Sequence, residues 1–274
     1  MRLRHALASV VTIAACGAPS SSRAPVVSNV TDPPPTARPV AVDASSTLGV
    51  LALPAYATRP EAAPHWVALA PGAAAVVPGK AALGPGTYRA LPAGGATAIA
   101  LRAGATTSID YGCDGGTSLD VIPLAGPAVK PGLVWVLPSP VPPEWQPASH
   151  ALRAEIAERD RVRYVVGELV IEQRRLDKTH AALAIAVRGK TVHDETSEAY
   201  LMDGADPIDL DLKEGHAPGI PTVEAVFSVA PAGPYLVVLE TSGYEGVAFE
   251  TLVARESATE VVESLGFDAY YCAF

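Results

Sequence analysis

The 274-residue sequence lacks the features that most directly identify a function. No apolar stretch reaches the roughly 18 uninterrupted residues of a transmembrane helix, so no segment after the N-terminal one is expected to span a membrane. There is no HExxH zinc motif, no GxSxG nucleophile elbow, no Walker loop and no paired Cys/His spacing. These absences remove the commonest catalytic and metal-binding signatures, and we expect the chain not to be an enzyme.

A basic surface is also missing. Lys and Arg number 20 against 29 Asp and Glu, which gives a formal net charge of −9. The imbalance lies in one half, because residues 144–274 hold eleven basic and 23 acidic residues, whereas residues 48–143 hold five and four. This distribution argues against nucleic-acid binding, which needs a basic stripe, and against electrostatic docking to anionic lipid.

The N-terminal segment carries the most specific pattern in the chain. Arg2 and Arg4 precede an apolar stretch, Ala6 to Ala15, which is too short to span a bilayer. The run Ile13-Ala14-Ala15-Cys16 resembles the lipobox of bacterial lipoproteins, although that family usually has leucine in place of Ile13. The resemblance implies that residues 1–15 are a signal peptide and that Cys16 is lipidated and begins the mature protein. An ordinary secretory signal, whose cleavage discards Cys16, is the alternative.

The same resemblance implies where the protein is held. A diacylglycerol on Cys16, usually with an N-acyl chain, anchors it firmly in a membrane, because each buried methylene contributes about 0.8 kcal/mol. We therefore expect a protein of the bacterial cell envelope, periplasmic or surface-exposed. Gly17 replaces the aspartate that favours the inner membrane, so the outer membrane is favoured. Residues 16–47, rich in Pro, Ser and Ala, predict a disordered tether that reaches about 90 Å at ~3 Å per residue.

With Cys16 set aside, two of the three cysteines remain, Cys113 and Cys272. An oxidising envelope compartment favours a disulfide between them. Such a bridge closes a loop of about 160 residues, for which the chain-entropy model gives roughly 5 kcal/mol. Two buried free thiols are the alternative.

A proline-rich stretch divides the rest of the chain. Residues 138–147 contain five prolines, which disfavour helix and central strand alike. We therefore predict a near-neutral β unit at 48–137 and an acidic, strand-rich α+β unit at 148–274. The predicted fold class is mainly β, with two antiparallel β-sandwich-like units and one clear helix near residues 149–161.

Two segments predict helix. Ser149 as an N-cap, with Leu152 and Ile156 at helical spacing, predicts the helix that ends near residue 161. Ser257, followed three residues later by Glu260, predicts a second, short helix over 257–265.

Short apolar runs bounded by Gly or Pro predict the strands. A tight turn at Arg188-Gly189-Lys190 predicts a hairpin between two of them. The predicted strands are 50–53, 66–69, 98–101, 119–122, 133–137, 163–172, 181–187, 191–201, 223–229, 236–240, 247–254 and 268–274.

One acidic loop has the character of a metal site. Calcium takes six to eight oxygen ligands, and clustered aspartates in a turn supply several of them. The spacing does not match an EF-hand loop, and a solvated acidic loop is the alternative. The candidate ligands are Asp203, Asp206, Asp209 and Asp211. Calcium is the only cofactor that the sequence suggests.

Three functions are compatible with these observations. The first is a non-enzymatic, lipid-anchored envelope protein that binds an envelope protein or a glycan, or that stabilises a complex. The second is an envelope hydrolase that acts on cell-wall or polysaccharide material through paired carboxylates, because such pairs have no fixed sequence spacing. The third is a calcium-dependent adhesion-type module. The absence of any catalytic motif favours the first.

Overall fold

The computed structural model describes residues 48, 50–52, 73–76, 83–111, 117–126, 133–200, 208–215, 217–243, 246–262 and 265–270. Within these ranges the chain forms eighteen β-strands and no α-helix. None of the described residues belongs to a helix that is long and apolar enough to cross a membrane. Every strand pairing is antiparallel, so the mainly β, antiparallel fold class is confirmed.

The first sheet has seven strands and is strongly curled. Its strands are β1 (Val50–Ala52), β2 (Ala73–Val76), β3 (Gly86–Pro92), β4 (Ile99–Ala103), β5 (Thr107–Tyr111), β6 (Thr117–Ala125) and β7 (Val134–Val136). Their order is β1-β7-β3-β4-β6-β2, with β5 also paired to β6. Because β1 and β2 lie at opposite ends of this order and still contact each other, the sheet bends back on itself. Leu101, Leu124 and Val136 fill the space that the curl encloses.

The second sheet is a five-stranded meander in which each strand pairs with the next along the chain. Its strands are β9 (Ala154–Glu158), β10 (Arg161–Val166), β11 (Leu169–Arg175), β12 (His180–Val187) and β13 (Lys190–Glu198). Two-residue turns join β10 to β11 and β12 to β13. The first turn residue has positive φ in each, 57° at Gly167 and 52° at Arg188. Primed hairpin turns require this backbone conformation, because it matches the twist of the flanking strands.

The third sheet contains the most continuously apolar strands. Its strands are β8 (Ala148–His150), β14 (Thr222–Ser228), β15 (Tyr235–Ser242), β16 (Gly246–Ala254), β17 (Thr259–Val261) and β18 (Phe267–Tyr270). Their order is β17-β16-β15-β14-β8, with β18 also paired to β16. The first six residues of β15 are all buried. Burial on both faces of a sheet produces such uninterrupted apolar runs in place of alternation.

The third sheet lies between the other two. One of its faces packs against the first sheet, where the rings of Phe227 and Trp135 lie 5.6 Å apart between centroids. The other face packs against the second sheet, where Val237 and Ile185 belong to one buried cluster. The fold is therefore a stack of three β layers with apolar core on both sides of the middle one. The core between the first and third sheets joins residues of the two units predicted from the sequence.

The helix predicted near residues 149–161 is wrong. This segment forms β8, which pairs with β14, then β9, which pairs with β10, and a turn at residues 159–160. The spacing of Leu152 and Ile156 fits a helix, but Ile156 lies opposite Arg163 in a hairpin. Strand pairing satisfies the backbone groups that a helix would have paired internally, and Ile156 is half-buried in β9.

Two further predictions need correction. The predicted short helix at 257–265 is wrong over residues 259–261, which form β17; Val262 and Leu265 are buried, and residues 263–264 lie outside the described residues. The predicted single strand at 163–172 is two strands, because Gly167 turns the chain between β10 and β11. The hairpin turn predicted at Arg188-Gly189 is confirmed. The strand predicted at 66–69 lies outside the described residues.

Candidate functional site

The structure describes only part of the site that the sequence predicts. Cys16, Cys113 and Cys272 lie outside the described residues, and so do Asp203 and Asp206. Asp209 and Asp211 are described, and they lie in the segment 208–212 that packs against one end of the second sheet. Leu210 and Leu212 alternate with them and enter the core there, which turns both carboxylates away from the core.

Both carboxylate oxygens of Asp209 are paired with arginines. Arg159 Nη2 lies 2.5 Å from Oδ2, and Arg175 Nη2 lies 2.6 Å from Oδ1. The hydrogen bond and charge of Arg159 lower the pKa of Asp209, and Arg175 lowers it further. Arg175 also donates to Asp160 Oδ1 at 3.2 Å, so the two acids and two arginines form one surface network.

Asp211 has a different role, because its carboxylate closes a turn. Oδ1 accepts the backbone N–H of Lys213 at 3.0 Å and that of Glu214 at 3.4 Å. Within the described residues no group of three His, Cys, Asp or Glu is arranged to hold a metal ion. A calcium ion at Asp209 has to displace two arginines. Calcium binding by the full loop stays a prediction, since Asp203 and Asp206 are not described.

A second polar group lies beside this network, at the turn between β11 and β12. Asp177 Oδ1 accepts the backbone N–H groups of Thr179 and His180, each at 2.8 Å. These bonds, with the side-chain bond to His180, hold the pKa of Asp177 at about 2. Asp177 in turn raises the pKa of His180, whose Nε2 lies 3.8 Å from Glu198 Oε2. The hydrogen bonds of Asp177 orient the imidazole of His180 and also close the turn.

His193 lies where β13 of the second sheet meets β17 of the third sheet. His193 Nε2 lies 3.3 Å from Glu195 Oε2, and Thr259 Oγ1 lies 3.4 Å from His193 Nδ1. Burial raises the pKa of Glu250, the charge of Glu195 raises it further, and His193 lowers it. Glu250 is exposed overall, so solvent limits the rise. Nothing in the sequence pattern connects His193 with Glu250, which lies 57 residues further along the chain.

One serine lies within hydrogen-bond distance of a histidine, but it is inaccessible. Ser228 Oγ lies 2.9 Å from His150 Nε2 between β14 and β8. Ser228 is fully buried, and burial lowers the pKa of His150. Because no substrate can approach Ser228 Oγ in this arrangement, the pair joins two neighbouring strands and is not a nucleophile and base.

A cleft of about 250 Å³ opens beside the turn between β12 and β13. Its charged lining residues are Arg188, Arg255 and Glu256. Arg188 Nε donates to Glu168 Oε2 at 2.7 Å, and Nη1 donates to Glu256 Oε2 at 2.9 Å. These bonds hold the guanidinium of Arg188 in place. The backbone of Arg188 has a φ of 52°. For a residue other than glycine, the left-handed region costs about 1–2 kcal/mol.

Sequence reasoning missed this cleft because three separate segments form it. The hairpin at 188, the loop at 232–234 and the end of β16 with the two residues after it, 254–256, meet only in the folded sheets. The one available signal was an arginine at a turn position where Asn or Gly is preferred. Comparison of the chain with protein-family models, with curated proteins and with solved structures gave no match.

Proposed function

We propose that this chain is a lipid-anchored protein of the bacterial cell envelope whose β body binds an envelope protein or glycan and performs no catalysis. The observation that carries the proposal is the N-terminal pattern of Arg2, Arg4, a ten-residue apolar stretch and Cys16. Gly17 favours the outer membrane within that proposal. The non-catalytic part of the proposal is supported by the described acids. Several of them form ion pairs with arginines and so support the fold.

Metabolic labelling tests the anchor. A cell that expresses the full chain is given an alkyne-tagged palmitate, and the protein is examined for label and for membrane association. We expect Cys16→Ala to lose both label and membrane association, while Cys113→Ala keeps them. Equal labelling of wild type and Cys16→Ala contradicts the anchor, and so does a mature N-terminus that lies after residue 16.

A second candidate function rests on one specific observation: burial and the charge of Glu195 raise the pKa of Glu250. A glycosidase needs two carboxylates on either side of the scissile bond, one of them protonated at working pH. Release of reducing ends from purified peptidoglycan tests this function. Glu250→Gln abolishes the release if the pair is catalytic, and Glu260→Gln, an exposed acid on β17, leaves it unchanged. Wild-type protein that releases nothing rejects the candidate.

We also propose that Cys113 and Cys272 form a disulfide. The compartment implied by the anchor supports it, because disulfides persist in oxidising envelopes. The denatured full chain is alkylated with and without prior reduction, and the mass of each product is measured by mass spectrometry. A bridge gives two alkylation sites only after reduction, whereas two sites without reduction reject the bridge.

A further inference from the structure

The cleft beside Arg188 has two arginines, Arg188 and Arg255, among its lining residues. Of the five N–H groups of a guanidinium, Arg188 uses one on Nε and one on Nη1 for its two glutamates. Within the described residues, Arg188 Nη2 and the whole Arg255 guanidinium have no hydrogen-bond acceptor. The cleft therefore presents unused cationic donors on an otherwise strongly acidic half of the chain.

Ion pairs fix the orientation of the Arg188 guanidinium. Arg188 occupies the first position of a two-residue turn, and Glu168 and Glu256 hold its side chain from two sides. Arg255 follows the last residue of β16, and its backbone N–H donates to Ala258 O at 3.0 Å. A planar, pre-oriented guanidinium matches the two oxygens of a carboxylate in a bidentate pair. The free Nη2 of Arg188 and the Arg255 guanidinium match a carboxylate in charge and in hydrogen-bond donors, and Glu256 is already paired with Arg188.

The remaining lining selects what is attached to that carboxylate. Val187, Ala232, Pro234 and Ala254 supply an aliphatic wall, and no aromatic side chain is among the described lining residues. A volume of about 250 Å³ is below the usual range for drug-sized ligands. A small aliphatic side chain next to a carboxylate fits these dimensions and this lining.

We propose that the cleft binds the C-terminal carboxylate of a peptide that ends in a small aliphatic residue. The inference rests on the binding half of the proposed function and names the chemistry of the partner. Arg255 and Arg188 Nη2 hold the carboxylate, and the aliphatic wall covers the terminal methyl group. Capture of a chain end is a known mode of peptide recognition, in which a few charged contacts give specificity to a small apolar site.

Calorimetric titration of the purified full chain tests the inference. The probe is acetyl-Ala-Ala with a free carboxylate, and its C-terminal amide is the matched control ligand. We expect the acid to bind at least about tenfold more tightly than the amide, and higher salt to weaken the acid selectively. Arg255→Gln removes the difference between acid and amide. Arg153→Gln changes an exposed arginine that does not line the cleft, and it keeps the difference.

Arg188→Asn is the second variant, because Asn tolerates positive φ and preserves the turn. It also weakens acid binding, and an unchanged Tm for both cleft variants shows that the fold is intact. Equal binding of acid and amide overturns the inference, as does an undiminished acid affinity in Arg255→Gln, or no binding of the acid at millimolar concentration. Lipid labelling at Cys16 is measured separately, so failure of the anchor and failure of the cleft give different results.

Discussion

The imidazole Nδ1 of His180 lies 3.0 Å from Asp177 Oδ1 in the turn between β11 and β12. This bond raises the pKa of His180 above 6.5 and helps to hold that of Asp177 at about 2. The stabilisation linked to His180 is fully present below pH 6.5 and is lost as pH rises through the folded-state pKa. That linked to Asp177 is present above pH 3.8 and is lost as pH falls through about 2.

We therefore predict that Asp177→Asn lowers the pKa of His180, because the amide keeps the turn's acceptor oxygen but removes the negative charge. An NMR titration of the imidazole C–H signals measures it. Asp160→Asn changes an acid that pairs with Arg175, and the titration of His180 should stay as in the wild type. An identical His180 curve in Asp177→Asn and wild type contradicts the assignment.

His150 is predicted to titrate on the other side of 6.5. Burial lowers its pKa, so the stabilisation linked to neutral His150 is present above pH 6.5 and is lost as pH falls through the folded-state pKa. Ser228→Ala removes the partner of Nε2 and should lower the free energy of unfolding by about 1 kcal/mol at pH 8. Ser149→Ala is the control, because Ser149 Oγ is buried with no partner among the described residues. Urea unfolding measures the stability loss in both variants, and an equal loss in the two rejects the predicted role of Ser228. A pKa of His150 above 6.5 rejects the predicted direction of its shift.

Two glycines with similar backbone angles separate conformational from steric effects. Gly219 has a φ of 84° and Gly189 a φ of 76°. A Cβ on Gly219 meets Glu198 O at 2.5 Å, whereas a Cβ on Gly189 meets nothing within 4 Å. We expect Gly189→Ala to lower the free energy of unfolding by about 1 kcal/mol and Gly219→Ala by at least about 2 kcal/mol more. Equal losses in chemical denaturation contradict the predicted clash.

Trp135 is predicted to be essential for the contact between the first and third sheets. It is fully buried, and its Nε1 donates to Leu48 O at 2.7 Å. Trp135→Phe leaves that carbonyl unpaired and creates a cavity, so we expect a loss of about 2–4 kcal/mol. Trp145 is only partly buried, with its ring 6.3 Å from Trp135 between centroids, and Trp145→Phe should lose much less. Denaturant midpoints measure both, and similar losses reject the prediction.

The middle sheet was the part of the fold most accessible to prediction. The strands predicted at 223–229, 236–240 and 247–254 correspond closely to β14, β15 and β16. Their apolar runs are long and are ended by Pro- and Gly-containing loops, so local composition defines them. The stacking of the three sheets could not be predicted in the same way. An apolar strand sequence shows that both faces are buried, but it does not show which sheet covers each face.

Local pattern failed where pairing between distant segments decides the structure. Two apolar residues four positions apart, Leu152 and Ile156, fit a helix as well as they fit strands. The segment β8 is a strand because it pairs with residues 226–228, which lie more than 75 positions further along the chain. For the same reason the arginine partners of Asp209 were not foreseen, since Arg175 lies 34 residues away in sequence.

The covered face of the middle sheet limits how the protein can be shortened. Phe227, Val238 and Phe249 lie on that face and are buried in one cluster with Leu51, Leu91 and Trp135, which precede position 138. A fragment that begins at residue 148 exposes this face, and an exposed apolar face of that kind promotes association between molecules. We therefore expect such a fragment to aggregate when it is produced alone and to become soluble when residues 48–137 are supplied as a separate chain.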